Sequence, residues 1–132
     1  MNSVHHIAFN CRDRAAQEAF YTRHFGFQRA RVFNADTPDE FVMLRLGATC
    51  LELFQAKPDA AAHRGSEQAV GFKHLPFEVP DIEAAVRGLT ADGIHVDKII
   101  DCGALLPGLK VCFFNDPEGN RLELMQGWRD QS

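Results

Sequence analysis

Tryptophan and tyrosine occur once each in these 132 residues, against eleven phenylalanines. Aromatic packing therefore falls to phenylalanine, whose ring carries no polar handle. A basic field is also missing, since 14 Lys and Arg stand against 18 Asp and Glu for a net charge of -4. Nucleic acid is excluded as an expected partner, because phosphate binding needs clustered cations. No apolar run approaches the roughly 20 residues that span a bilayer, so no membrane partner is expected either. The opening Met1-Asn2-Ser3-Val4-His5-His6 lacks the basic and apolar regions of a signal peptide. Cysteine pairs at metal-binding or redox spacing are absent: Cys11, Cys50, Cys102 and Cys112 stand far apart. Apolar neighbours, as in Thr49-Cys50-Leu51 and Val111-Cys112-Phe113, make them reduced thiols filling strand positions. Cytoplasm is the expected compartment.

What the chain does contain is one pattern written twice. His6-Ile7-Ala8-Phe9-Asn10-Cys11-Arg12-Asp13 is echoed by His74-Leu75-Pro76-Phe77-Glu78-Val79-Pro80-Asp81, each His standing seven residues before an Asp. Further on, Leu51-Glu52-Leu53 recurs as Leu122-Glu123-Leu124 at nearly the same interval. Matched landmarks in one order mark an internal duplication.

Each copy reads as strand, helix and three strands. In the first, a strand over 4–10 leads to Asp13, which caps a helix running to about His24. Ala16, Ala19 and Phe20 recur there at helical spacing, and Gly26 supplies the stop. Strands follow at 28–34, 40–46 and 49–55, the last two joined tightly at Gly47-Ala48. In the second copy a strand over 72–79 precedes Asp81 and a helix with Ile82, Ala85, Val86 and Leu89 on one face, ending at Asp92-Gly93. Strands at 94–100, 109–115 and 120–126 complete it, with Asp116-Pro117-Glu118-Gly119 as a turn. The organisation expected is a single domain: module one over about 4–55, a polar, Ala-rich linker over about 56–70 with Pro58 and Gly65, and module two over about 71–128.

Side chains two apart on a strand share a face. Ile7, Phe9 and Cys11 thus oppose His6, Ala8 and Asn10, and Leu51 and Leu53 oppose Glu52. In the second copy Leu75, Phe77 and Val79 oppose His74, Pro76 and Glu78, and Leu122 and Leu124 oppose Glu123. With the apolar rows packed under the helices, two histidines and two glutamates fall on the other face at equivalent places. Sheets curving toward each other would make the four converge. Mixed nitrogen and oxygen donors suit Zn2+, Ni2+, Co2+, Mn2+ or Fe2+. Two clustered carboxylates without a cation would repel one another. The plain alternative is a wet outer face, common on antiparallel sheets. His24 at a helix end, His63 in the linker and His95 early in a strand read as ordinary polar positions, and His5 competes with His6 only if the register slips by one.

These residues carry a resemblance to the vicinal oxygen chelate superfamily, the glyoxalase, bleomycin-resistance and extradiol dioxygenase group. It runs from about Val4 to Trp128. The segment from His6-Ile7 through Phe20-Tyr21 to Phe25-Gly26-Phe27 resembles the first glyoxalase I signature, and Asp116 to Leu124 resembles the family's turn and final strand. The resemblance implies an α+β fold of two tandem βαβββ modules forming a cupped mixed sheet around a metal. It places the ligands at His6, Glu52, His74 and Glu123. Two His with two Glu is the glyoxalase I set; extradiol dioxygenases and fosfomycin-resistance enzymes have no carboxylate at the Glu52 position, methylmalonyl-CoA epimerases usually have Gln, and antibiotic-sequestering relatives have generally lost the ligands.

The implied activity is a metal-dependent lyase or isomerase acting on a small substrate with adjacent oxygens, such as a thiol adduct of a 2-oxoaldehyde. One divalent ion, Ni2+ or Zn2+ first, would stabilise an enediolate formed by proton abstraction. Glu123 is the expected base, with Glu52 as its pseudo-symmetric partner. Substrate contacts are expected at Asn10, Glu78 and the loop carrying Leu105 and Leu106; Asn10 stands where glyoxalase I has an Arg that holds a glutathione carboxylate. Alternatives in the same superfamily are an epimerase, a dioxygenase or a non-catalytic small-molecule-binding protein. Open sheet edges on a short chain favour a homodimer.

Overall fold

The computed structural model describes residues 1–62 and 68–131 and divides the chain into two compact units, Met1–His63 and Arg64–Ser132. The first unit runs β1 (His6–Cys11), α1 (Arg14–Phe25), β2 (Gln28–Phe33), β3 (Phe41–Leu46) and β4 (Thr49–Gln55), with sheet order β1-β4-β3-β2. The β1–β4 pair is parallel and the others antiparallel, as a strand–helix crossover followed by a meander requires. The expected α+β fold of two tandem βαβββ modules is what the chain adopts. Each module has its own four-stranded mixed sheet.

Helix α1 starts where Asp13 accepts a hydrogen bond from the Ala16 N–H at 3.0 Å and stops at Gly26, whose φ of 77° is left-handed. Its buried face differs from the expected row. Gln17, Phe20 and Tyr21 are buried while Ala19 is exposed. The Tyr21 ring packs 6.1 Å from Phe9 of β1 and 5.7 Å from Phe27, so the large rings claim the sheet and turn the small alanines outward. Val42, Leu44, Leu51 and Leu53 complete this core at 0–1% exposure.

The second unit runs β5 (Leu75–Glu78), α2 (Ile82–Ala91), β6 (Ile100–Asp101), β7 (Lys110–Asn115) and β8 (Arg121–Gln126), with order β5-β8-β7-β6. Asp81 caps α2 through the Ala84 N–H at 3.1 Å, and Ile82 and Leu89 are buried on the expected face. Two strands are shorter than the sequence pattern indicates. β5 begins at Leu75, and Phe72 is fully exposed. Instead of a strand over 94–100, the chain touches β7 at the single bridge Val96–Phe114 and again at Ile100–Asp101. Between these points the Asp97 N–H still donates to the Phe113 carbonyl of β7 at 2.8 Å, while its carboxylate accepts from Arg121 of β8 at 2.6 Å.

The turn between β7 and β8 is organised by one buried carboxylate. Asp116 accepts from the Glu118 N–H at 3.0 Å, the Asn120 N–H at 2.9 Å and the Asn120 amide at 2.9 Å. The described part of the linker, 56–62 and 68–70, contains neither strand nor helix; its centre, with Gly65 and His63, lies outside the described residues. No disulfide joins the four cysteines: Cys11, Cys50 and Cys112 fill buried strand positions, and Cys102 lies outside the strands. Burial pushes the Cys112 thiol pKa up, keeping it protonated. Among the described residues no helix is long and apolar enough to cross a membrane.

Candidate metal centre

The register of each sheet sets a histidine beside a glutamate in the same way. Ala8 of β1 pairs with Glu52 of β4, and His6 lies two residues before Ala8 on the same row. Pro76 of β5 pairs with Glu123 of β8, and His74 lies two residues before Pro76. The first pair brings His6 Nε2 to 3.5 Å from Glu52 Oε1; the second brings His74 Nε2 to 3.8 Å from Glu123 Oε2. Both separations exceed the roughly 2.9 Å of a good hydrogen bond. They lie near the roughly 3.4 Å expected of two donor atoms each about 2.1 Å from one ion at a tetrahedral angle.

The carboxylates are well covered. Glu52 and Glu123 side chains are 15% and 12% exposed, against 39% and 23% for His6 and His74. The residues paired directly with Glu52 are Ala8 and Met43, and with Glu123 Pro76 and Phe113, so the polar neighbour of each carboxylate across the strands is its histidine. Burial raises the Glu123 carboxyl pKa, and His74 offsets part of that rise. Each imidazole has a defined environment as well. His5 Nδ1 lies 2.9 Å from His6 Nδ1, so one ring donates to the other. A proton on His6 Nδ1 would leave Nε2 its lone pair for coordination. The His74 ring meets the edge of Phe113 at 5.4 Å, and its Nδ1 is buried without a hydrogen-bond partner among the described residues.

These observations fit a divalent ion. Neutral imidazole nitrogens and shielded carboxylates are its preferred mixed donors, and the cation would relieve the burial cost carried by Glu123. Among the described residues the donors are grouped in twos, and no group of three or more His, Cys, Asp or Glu is formed.

The remaining expected contacts are placed as follows. Asn10 is exposed on the His6 row and pairs with Phe54; Glu78 is exposed beside Met125. The loop with Leu105 and Leu106 hangs from the Lys110–Gln126 end of β7 and β8, three residues along β8 from Glu123. Leu105 is 85% exposed there, and the loop is closed by N–H bonds from Leu105 and Leu106 to the Cys102 carbonyl. His24 sits in the last turn of α1 against Phe20, and His95 is exposed with Nε2 3.2 Å from Asp97.

Several residues of the site escape a reading by motif. His5 meets His6 through their Nδ1 atoms. Phe113 faces His74 and also carries Arg121 over its ring, the guanidinium carbon 5.3 Å from the centroid. Phe33, Phe41 and Phe54 stack across three strands. Strand parity is the signal that could have found the last group, since Phe54 lies two residues from Glu52.

The sequence profile of the Glyoxalase/Bleomycin resistance protein/Dioxygenase superfamily matches residues 3–124. The chain belongs to this superfamily. Among its family relatives, uncharacterized protein YwkD of Bacillus subtilis (strain 168) is 33% identical over 128 residues, covering 96% of this chain and 98% of that protein. A solved glyoxalase family protein from Enterococcus faecalis is 32% identical, with a TM-score of 0.76 over 93% of this chain and 96% of that one. A lactoylglutathione lyase of Pseudomonas aeruginosa is 34% identical over 68 residues, which is 52% of this chain and 36% of that enzyme.

Proposed function

We propose that the protein is a metal-dependent lyase or isomerase of glyoxalase type. His6, Glu52, His74 and Glu123 hold one divalent ion, Ni2+ or Zn2+ foremost, with the four donors drawn from one chain or from two paired copies. The observation that carries the reading is the repeated geometry: the same register, residue types and 3.5–3.8 Å separation recur in both units.

When bound, the ion supplies Lewis-acid polarisation to two adjacent oxygens of a small substrate. The chain's residues do the rest. Glu123 takes the proton from the carbon beside the polarised carbonyl and returns it to the neighbouring carbon; burial raises its pKa, which favours it as the base. His6, held by His5, and His74, wedged by Phe113, act as ligands of set orientation. Met43, buried beside Glu52, and Phe113, half-buried beside Glu123, limit water at the two carboxylates. Partial similarity to a lactoylglutathione lyase supports a thiol adduct of a 2-oxoaldehyde as the substrate to assay first. Epimerisation would use the same base, because it also removes a proton beside a carbonyl.

Metal content tests the reading. Stoichiometric uptake of Ni2+ or Zn2+ is expected, with affinity at least about tenfold weaker in Glu52→Gln, a loss on the scale seen for altered metal sites. Purified protein that neither contains nor takes up a divalent ion overturns the reading. Product analysis with the hemithioacetal of methylglyoxal separates isomerisation from epimerisation.

A further inference from the structure

The row of His6 and Glu52 continues into an aromatic surface that the metal chemistry does not use. Strand pairing aligns Asn10, Phe54, Phe41 and Phe33 across β1, β4, β3 and β2, directly beside the line Ala8, Glu52, Met43 and Arg31. The Phe33 and Phe41 rings stack 4.7 Å apart at 10°, and Phe41 and Phe54 stack 4.5 Å apart at 22°. The stack leaves part of each ring in solvent, since all three phenylalanines are half-buried. Asn10 and Arg31 stand at its two ends, both exposed.

Arg31 decides what would bind. Its guanidinium carbon lies 5.8 Å from the Phe33 centroid, and among the described residues this ring is its only partner. The neighbouring arginines of the unit are engaged, Arg29 with Glu18 and Arg14 with Glu40. The stacked rings turn their edges to solvent, and ring edges meet the face of another ring; a lone guanidinium beside them complements one anionic group attached to such a ring. It is too little cationic charge for a polyphosphate on a chain of net charge -4. Spacing links the feature to the candidate centre. Arg31 is two strands from Glu52, roughly 10 Å, and Phe54 is two residues from Glu52, roughly 7 Å.

We infer that Phe33, Phe41, Phe54 and Arg31 form a subsite for a small molecule bearing a flat unsaturated ring and a carboxylate. The ring lies against the phenylalanine row and the carboxylate meets Arg31, with the Asn10 amide as a polar contact at the far end. The subsite extends the proposed reaction by naming a substrate class, and to that extent it rests on the metal reading; the binding surface itself does not.

Calorimetric titration of the full chain, metal-free and Ni2+-loaded, tests it with three probes: 2-naphthoate, the neutral 2-naphthamide and the non-aromatic cyclohexanecarboxylate. 2-Naphthoate is expected to bind about tenfold more tightly than either of the others, in both forms of the protein. Arg31→Gln should lower its affinity to that of 2-naphthamide, and Phe54→Leu to that of cyclohexanecarboxylate. Phe33→Leu repeats the aromatic test at another half-buried position if Phe54→Leu does not fold. Equal affinity for the three probes, no binding of 2-naphthoate, or 2-naphthoate binding untouched by these substitutions overturns the inference. Retained binding by a chain that takes up no metal would leave the subsite standing while the metal reading fell.

Discussion

Glu123 shows how a functional residue works against the fold that carries it. Its carboxylate is 12% exposed beside Pro76 and Phe113, and burial raises its pKa above the ordinary carboxylate value. A carboxyl whose folded pKa is raised contributes stability below the unfolded value, and that contribution is lost as pH rises through the folded value. At neutral pH the metal-free protein therefore keeps an ionised group where it is poorly solvated. Glu123→Gln removes that charge and keeps the shape. Its metal-free form is expected to melt at higher temperature than the unsubstituted chain at pH 7, with the gap closing toward pH 4, while proton transfer on the hemithioacetal falls about 10²–10⁴-fold. Scanning calorimetry across pH checks the first half and kinetics the second. A lower melting temperature for Glu123→Gln at pH 7 would contradict the burial argument. The same contrast between alternation and environment runs through the site. Alternation was enough to put His6, Glu52, His74 and Glu123 on their rows, but not to find His5 against His6 or Phe113 against His74, because those contacts depend on rotamers and on a strand far away in sequence.

Element boundaries were legible wherever a cap or turn residue acts locally. Asp13, Asp81 and Gly26 mark the helix ends by bonds to their own neighbours, and β4 runs over Thr49–Gln55 as its alternation indicates. Boundaries set by distant partners were not. The segment 94–100 has strand-like composition, yet it meets β7 around the Val96–Phe114 bridge and again at Ile100–Asp101 rather than along a continuous ladder. The face of α1 also escaped the pattern, since the fit of Phe20 and Tyr21 to the sheet outweighs the alanine periodicity. The β7–β8 turn belongs to the legible class, and it bears directly on the site because it sets the register that places Glu123. Asp116 is 4% exposed and accepts three hydrogen bonds there. Asp116→Ala leaves those donors unsatisfied and is expected to cost about 2–3 kcal/mol, read as a lower denaturant midpoint. A midpoint unchanged within error would show that the turn is held by Gly119 and the strands alone.

Across the whole molecule, surface charge pairs tie elements far apart in sequence. Arg14 holds Glu40, Lys110 holds Glu83 at 2.9 Å and Arg121 holds Asp97 at 2.6 Å. Hydrogen bonds from these cations are the main cause of the lowered pKa values of Glu40, Glu83 and Asp97. Carboxyls lowered in the folded state contribute stability that is present above their unfolded pKa and lost as pH falls through the folded one. This contribution should therefore begin to fall as pH drops through the ordinary carboxylate range and be gone below the lowered values, and salt should weaken it. Arg121→Gln is expected to make the acid limb of a stability–pH curve shallower and to leave the alkaline limb unchanged; equal acid limbs would remove Asp97 from the account. The duplicated frame was readable because period-two alternation and helix caps are local properties of the chain, and with it came the superfamily and the two rows of candidate ligands. Tertiary structure alone decided the separations of His6 from Glu52 and His74 from Glu123, the Phe33–Phe41–Phe54 stack and the solitary Arg31 beside it. Those depend on register between strands that meet only after folding, and no local pattern encodes which residues a register will bring side by side.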